Sequence, residues 1–150
     1  MDDTIDSKAI AALQADGRVS WADLGTTLGL SAPAAAERVR KLTESGTIRG
    51  FAAVLDPAAA GFPVLAFVAV TLQSQDARTA FLKGVRRHAL IQECHHVAGD
   101  ADYLVKLRCR SLAHLEEILG EGLPAGVRAA RTTVAISTVK EEPLMPPEEG

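Results

Sequence analysis

The stretch HHVAGDADYLVKL, His95 to Leu107, gathers two histidines, two aspartates, a glycine and a phenol among apolar residues. Such residues can ligate a metal, move protons in catalysis, or hold a small polar molecule. Neighbours on a strand face opposite ways, so His95 and His96 cannot both face one ion if the segment is extended. One histidine with Asp100 or Asp102 is too few ligands for a closed zinc site. No serine or cysteine nucleophile with a paired base accompanies them, which argues against hydrolysis. The chain is expected not to be an enzyme, and to hold neither metal nor cofactor. Plainer readings exist: Gly99 and Asp100 suit a turn, and the histidines suit one surface and one interface position. A turn leaves Asp102 and Tyr103 unexplained. A loop offering backbone N–H groups, two carboxylates and a phenol can hold a small zwitterion.

Periodicity shows what must position this cluster. From Val64 apolar residues alternate, with Ala66, Val68, Val70 and Leu72 on one side of a strand and Leu65, Phe67 and Ala69 on the other. Both sets are apolar, so both faces are expected to be covered. A helix over about Ala77 to Arg87 presents Phe81, Leu82 and Val85. Strands at Ile91 to Ala98 and Tyr103 to Cys109 flank a short loop, which places Gly99 to Asp102 between them. Ser111 can cap a helix carrying Leu112, Leu115, Ile118 and Leu119, and a last strand covers about Val127 to Val139. The order βαββαβ is the ferredoxin-like arrangement. The closing EEPLMPPEEG, acidic and rich in proline, is expected to be a mobile tail over 141–150.

The first fifty residues read as three short helices. Asp3 can cap the first, which carries Ile5, Ala9 and Leu13 and ends before Gly17. Ser20 with Asp23 resembles a capping box for a second helix bearing Leu24 and Leu28. Gly29 then Leu30 fit a glycine C-cap, and Ser31 can cap a third helix directly. Only three residues separate these two helices, so they must cross steeply, as in a helix-turn-helix. The third helix turns Ala35, Val39 and Leu42 inward and Pro33, Glu37, Arg40, Lys41 and Glu44 outward, with Ala34 and Arg38 on the flank. A plain three-helix bundle with a solvated charged face is the alternative. Thr47 to Pro63 reads as a strand or wing and a connector, broken by Pro57, Gly61 and Pro63. The expected domains are 1–50, a strand and linker over 51–63, and 64–140.

Composition narrows the function classes. The chain has 150 residues, 47% hydrophobic and 23% charged, ordinary for a globular protein. No apolar run approaches the roughly 20 residues of a membrane helix, and MDDTIDSK lacks a signal-peptide pattern; a cytoplasmic protein is expected. Cys94 and Cys109 show no metal spacing and read as reduced thiols. Net charge is −3, yet Arg38, Arg40, Lys41 and Arg49 stand close together against Glu37 and Glu44. A phosphate contact needs only a local basic face. So small a patch binds weakly alone and calls for several copies.

At this point the chain resembles the Lrp/AsnC, or feast/famine, family of transcription regulators over nearly its full length. Ile5-Asp6, Leu13 to Gly17 and Gly29-Leu30-Ser31 carry the match, with ERVRKLTESGTIRGFAAVLDP from Glu37 to Pro57. In the second half ECHHVAGDADYLVKL and GVRAARTTVAISTVK carry it. The resemblance implies a DNA-binding helix-turn-helix domain and a ferredoxin-like effector and assembly domain. It implies dimers that build larger even-numbered rings, commonly octamers, and an amino-acid pocket between subunits. Its effector-binding set maps to Gly99, Asp100, Asp102, Tyr103, Thr132 and Thr133. The set facing double-stranded DNA is Ser20, Ser31, Ala34, Glu37, Arg38, Arg40, Lys41 and Arg49. One departure stands out: Ser31-Ala32-Pro33-Ala34-Ala35-Ala36 replaces a more polar start of the recognition helix. Alanines touch thymine methyls but bond no base edge, so direct readout is expected to be thin.

The expected function is a sequence-specific DNA-binding regulator responsive to an amino acid or related effector. An effector-independent architectural protein of the same fold is the alternative. An RNA-binding module shares the βαββαβ order, but it stacks bases on strand aromatics, and these strands offer only Phe67 and Tyr103. A small metal- or carboxylate-dependent enzyme built on His95 to Asp102 is the remaining rival.

Overall fold

The computed structural model describes residues 3–141. Two units emerge, one running up to Ala53 and one spanning Val54–Lys140. The first holds α1 (Asp3–Ala15), α2 (Trp21–Leu28) and α3 (Ala32–Glu44). Ala9, Leu24, Leu28, Ala35, Val39 and Leu42 form its core, with Ile5, Leu13, Leu30 and Ile48 against them. Burying each large aliphatic side chain contributes about 1.5–3 kcal/mol, so these stripes hold the three helices together.

Local chemistry sets the helix ends. Ser20 Oγ accepts from the Asp23 N–H at 3.1 Å and donates to the Asp23 carboxylate at 2.6 Å, a reciprocal cap. Gly29 takes a left-handed φ of 68° that stops α2, and the Leu30 N–H closes the motif on Gly25 O at 2.8 Å. Ser31 Oγ then accepts from the Ala34 N–H and starts α3. Gly25 is what lets the turn close. A Cβ there would lie 2.7 Å from Leu30 O, inside any real contact. α1 already includes Asp3, and the side chain expected to cap it lies outside the described residues.

In the second unit come β1 (Val64–Leu72), α4 (Ala77–Arg87), β2 (Ile91–His96), β3 (Tyr103–Cys109), α5 (Leu112–Glu117), a π-helical turn (Ile118–Gly122) and β4 (Val127–Val134). The strands form one sheet in the order β2-β3-β1-β4, every neighbouring pair antiparallel. That is the ferredoxin-like arrangement. Val70, Val68 and Ala66 stand opposite Tyr103, Val105 and Leu107, and Phe81, Leu115 and Ile118 from the helical segments join them in the core. The other face is less covered within one chain. Phe67 and Ala69 are half-buried, and Leu104 is exposed.

Three boundaries differ from expectation. The strand or wing predicted after α3 does not form among the described residues: 49–56 are irregular, and a turn follows. Asp56 Oδ1 accepts from the Ala58 and Ala59 N–H groups and fixes that turn. Phe51, Val54 and Leu55 are exposed; no described strand of the chain lies beside them to complete a ladder. β4 ends at Val134, short of Val139, because β1 begins at Val64 and pairing stops at Ala66↔Val134. β2 ends at His96, where the Val97 N–H turns to Asp102 O at 3.1 Å. Of the predicted tail 141–150, all but Glu141 lies outside the described residues.

Gly25→Ala must push Leu30 away from α2. We expect a loss of about 1–3 kcal/mol, the usual cost of overpacking. Urea unfolding followed by the fluorescence of Trp21, the sole tryptophan, measures it. An unchanged midpoint would mean that the turn has slack.

Candidate functional site

On α3 the buried stripe leaves Ala34, Glu37, Arg40, Lys41 and Glu44 exposed, the face a helix-turn-helix turns towards DNA. Its charges are largely engaged with one another. Arg40 donates from Nε to Glu37 at 2.8 Å and also pairs with Glu44 one turn on. Lys41 approaches Glu37 at 4.0 Å. The Arg40 guanidinium holds the Glu37 carboxyl below the usual carboxylate range, and its own pKa is raised in return. The stripe as it stands is electrically neutral.

Arg38, predicted to grip phosphate, does something else. Its Nε forms an ion pair with the Asp6 carboxylate of α1 at 2.8 Å, and Asp6 is buried. This pair ties α3 to α1, and the sequence pattern concealed it because Asp6 looks like any polar residue on a short helix. Arg49 is exposed beyond the end of α3, with no ion pair among the described residues. Ser20 and Ser31 are both occupied as caps.

The hairpin between β2 and β3 shows what Asp102 does. Its Oδ2 accepts from the Leu72 N–H at 2.8 Å, and its own N–H donates to Val70 O at 2.9 Å. β1 and β3 pair as far as Val70↔Tyr103. The carboxylate therefore serves where the ladder runs out, which makes Asp102 a structural anchor as well as a wall. Beside it lies a cavity of about 410 Å³, lined by residues 71–75, Arg78, His96, Asp102, Tyr103 and Arg128. Tyr103 is 3% exposed, its ring 5.0 Å from Phe81 and 5.1 Å from His96. Its Oη is buried with no hydrogen-bond partner among the described residues. An orphaned buried hydroxyl costs about 1–3 kcal/mol.

Of the predicted effector set, Asp102 and Tyr103 line this cavity. Gly99 and Asp100 are exposed in the hairpin loop and do not. Thr132 stands opposite Val68 and Thr133 opposite Phe67 in mid-sheet, also outside it. Sequence reading singled out His96 without assigning it to the effector site, and it passed over Arg78, Arg128 and the 71–75 segment. No local signal marks them, since strand register and the start of α4 alone bring them together.

The two histidines part company as strand alternation requires. His96 stacks on Tyr103, whereas His95 reaches Glu93 at 3.2 Å and Lys106 reaches Glu93 at 3.1 Å. Hydrogen bonds from His95 and then Lys106 hold the Glu93 carboxyl below its ordinary range. Among the described residues no group of three His, Cys, Asp or Glu is placed to hold a metal ion, and no helix is long and apolar enough to cross a membrane. Burial pushes both the Cys94 and Cys109 thiols up, away from thiolate reactivity.

Residues 2–43 match the AsnC-type helix-turn-helix domain, and residues 65–145 match the Lrp/AsnC ligand binding domain. A helix-turn-helix joined in one chain to a ligand-binding unit defines a transcriptional regulator. The chain is 39% identical over 143 residues to the leucine-responsive regulatory protein of Escherichia coli strain K12, covering 93% of this chain and 87% of that protein. A transcriptional regulator from Neisseria meningitidis in complex with L-Met has a TM-score of 0.89 at 25% identity, over 97% of both chains. The feast or famine regulatory protein from M. tuberculosis, complexed with L-methionine, has a TM-score of 0.87 at 31% identity, over 95% of this chain and 97% of that one. The chain belongs to the Lrp/AsnC family of transcriptional regulators.

The Asp6–Arg38 pair generates a direct test. Asp6→Ala or Arg38→Ala should each cost about 1–3 kcal/mol by leaving a buried polar group unsatisfied. Arg40→Ala should cost no more than about 1 kcal/mol, as exposed pairs do. Chemical denaturation separates them, and equal losses at Arg38 and Arg40 would refute the assignment.

Proposed function

We propose that this regulator binds double-stranded DNA as an assembly of several copies and changes its DNA affinity when an amino acid or close relative fills the cavity beside the hairpin. The observation that carries this is a cavity of about 410 Å³ beside the hairpin, lined by Asp102, Arg78, His96 and Arg128 together with buried Tyr103, a volume suited to a small ligand. The leucine-responsive relative and the two L-methionine complexes support the same class of effector. The protein acts by binding, without catalysis and without a cofactor, in the cytoplasm.

In this reading residues 1–50 hold DNA, 51–63 link, and 64–140 bind effector and assemble. Lys41 and Arg49 engage phosphate first. Arg40 joins them by exchanging Glu37 and Glu44 for phosphate, while Arg38 positions the helix from behind. Ser20 and Ser31 present helix N-termini to the backbone. Ala34 and Glu37 lie nearest the bases, the one against a thymine methyl and the other accepting from a cytosine amino group. Gly99 and Asp100 form the rim of the effector site. Exposed Phe51, Val54 and Leu55, with the half-covered sheet face, supply the apolar surface that further copies cover. Dimers and even-numbered rings such as octamers follow from that surface. Effector and DNA must then influence each other reciprocally.

Two measurements check the halves separately. Lys41→Ala with Arg49→Ala should weaken binding to any duplex and flatten the salt slope by about one unit for each phosphate no longer neutralised. An unaltered slope would remove α3 from the interface. His96→Ala, at an exposed position of the lining, should leave thermal stability close to wild type yet shrink the thermal shift produced by the effector. A full shift in that variant, with unchanged particle mass by light scattering, would take the cavity out of the mechanism.

A further inference from the structure

We infer that the effector of this chain is an acidic amino acid, one carrying a second carboxylate. The inference rests on the effector reading above and narrows it. Arg78 at the start of α4 and Arg128 on β4 both line the cavity, and neither has an ion pair among the described residues. The only carboxylate in the lining is that of Asp102, and its Oδ2 is already committed to the Leu72 N–H. Two guanidiniums against one carboxylate leave the cavity one positive charge in excess. A neutral zwitterion such as leucine cannot balance that excess, whereas an acidic amino acid matches it.

Other features agree. Ser74 and Gln75 bring the cavity to the N-terminal end of α4, whose first turn holds no acid, so the helix dipole also favours an anion. Asp76 at the cap position opposes this, but it is exposed and lies outside the lining. Leu72 is the only aliphatic residue among the lining side chains, so a branched or thioether side chain would have little to bury against. Each guanidinium can hold one ligand carboxylate with the paired donors that suit it. Asp102, whose Oδ2 is held by the Leu72 N–H, keeps Oδ1 to accept from the ammonium.

Isosteric pairs isolate the charge. With the full-length protein at constant ionic strength, titration calorimetry should show L-aspartate or L-glutamate binding about tenfold or more tightly than its amide, L-asparagine or L-glutamine. Arg78→Gln and Arg128→Gln, both at exposed positions, should keep the wild-type unfolding temperature. The substitution of the arginine that holds the side-chain carboxylate should weaken the acidic ligand about tenfold and leave the amide unchanged, so that the gap closes, while the other should weaken acid and amide alike. Equal affinity for acid and amide, or a gap that survives both substitutions, overturns the inference. Tight binding of leucine or methionine alone overturns it too, but leaves the effector function standing. Failure of every amino acid to bind defeats both.

Discussion

The Leu72 N–H lies beyond the last pair of the β1–β3 ladder, and the carboxylate of Asp102 accepts it. A backbone donor at the end of a central strand must be satisfied, and here a side chain from the next hairpin does so. The same residue's N–H returns to Val70 O, so the hairpin is bound twice to the strand it follows. With the loop held there, Tyr103 must enter the core between Phe81 and His96. Asp102 and Tyr103 thereby stand side by side in the wall of the cavity.

The helical unit divides its arginines by depth. Arg38 offsets the charge of buried Asp6 and so ties α3 to α1. Arg40 sits in water between two glutamates, where ion pairs are worth little and exchange readily. A phosphate can replace those partners at modest cost, but the neutral stripe offers little long-range attraction. In the proposed function each helix-turn-helix therefore binds weakly and draws affinity from several copies on one duplex. Short alanine side chains at the start of α3 add to this, since they leave backbone contacts and DNA shape to carry discrimination.

Much of this architecture was legible in the residues. Ser20, Gly29, Ser31 and Ser111 are short-range signals that act over one turn of chain, and each operates at the place its type indicates. The alternation from Val64 to Leu72 and the stripe of Phe81 specify a strand and a helix for the same reason: side-chain period is a local property. The family resemblance, carried by ordered segments across the whole chain, reached further than any single motif. By this route Asp102 and Tyr103, which the folded chain places in the cavity lining, were singled out.

What sequence could not express was contact between distant segments. The strand expected after Thr47 reads like one, yet a strand needs a neighbour to bond, and none of the described residues pairs with it in a ladder. Asp6 and Arg38 differ by thirty-two positions, so no spacing rule joins them. Arg78, His96 and Arg128 come to one cavity only because strand register and the start of α4 place them there. Local propensity and period are written residue by residue; the site's electrostatics belong to the folded chain, where sheet pairing decides which charges meet.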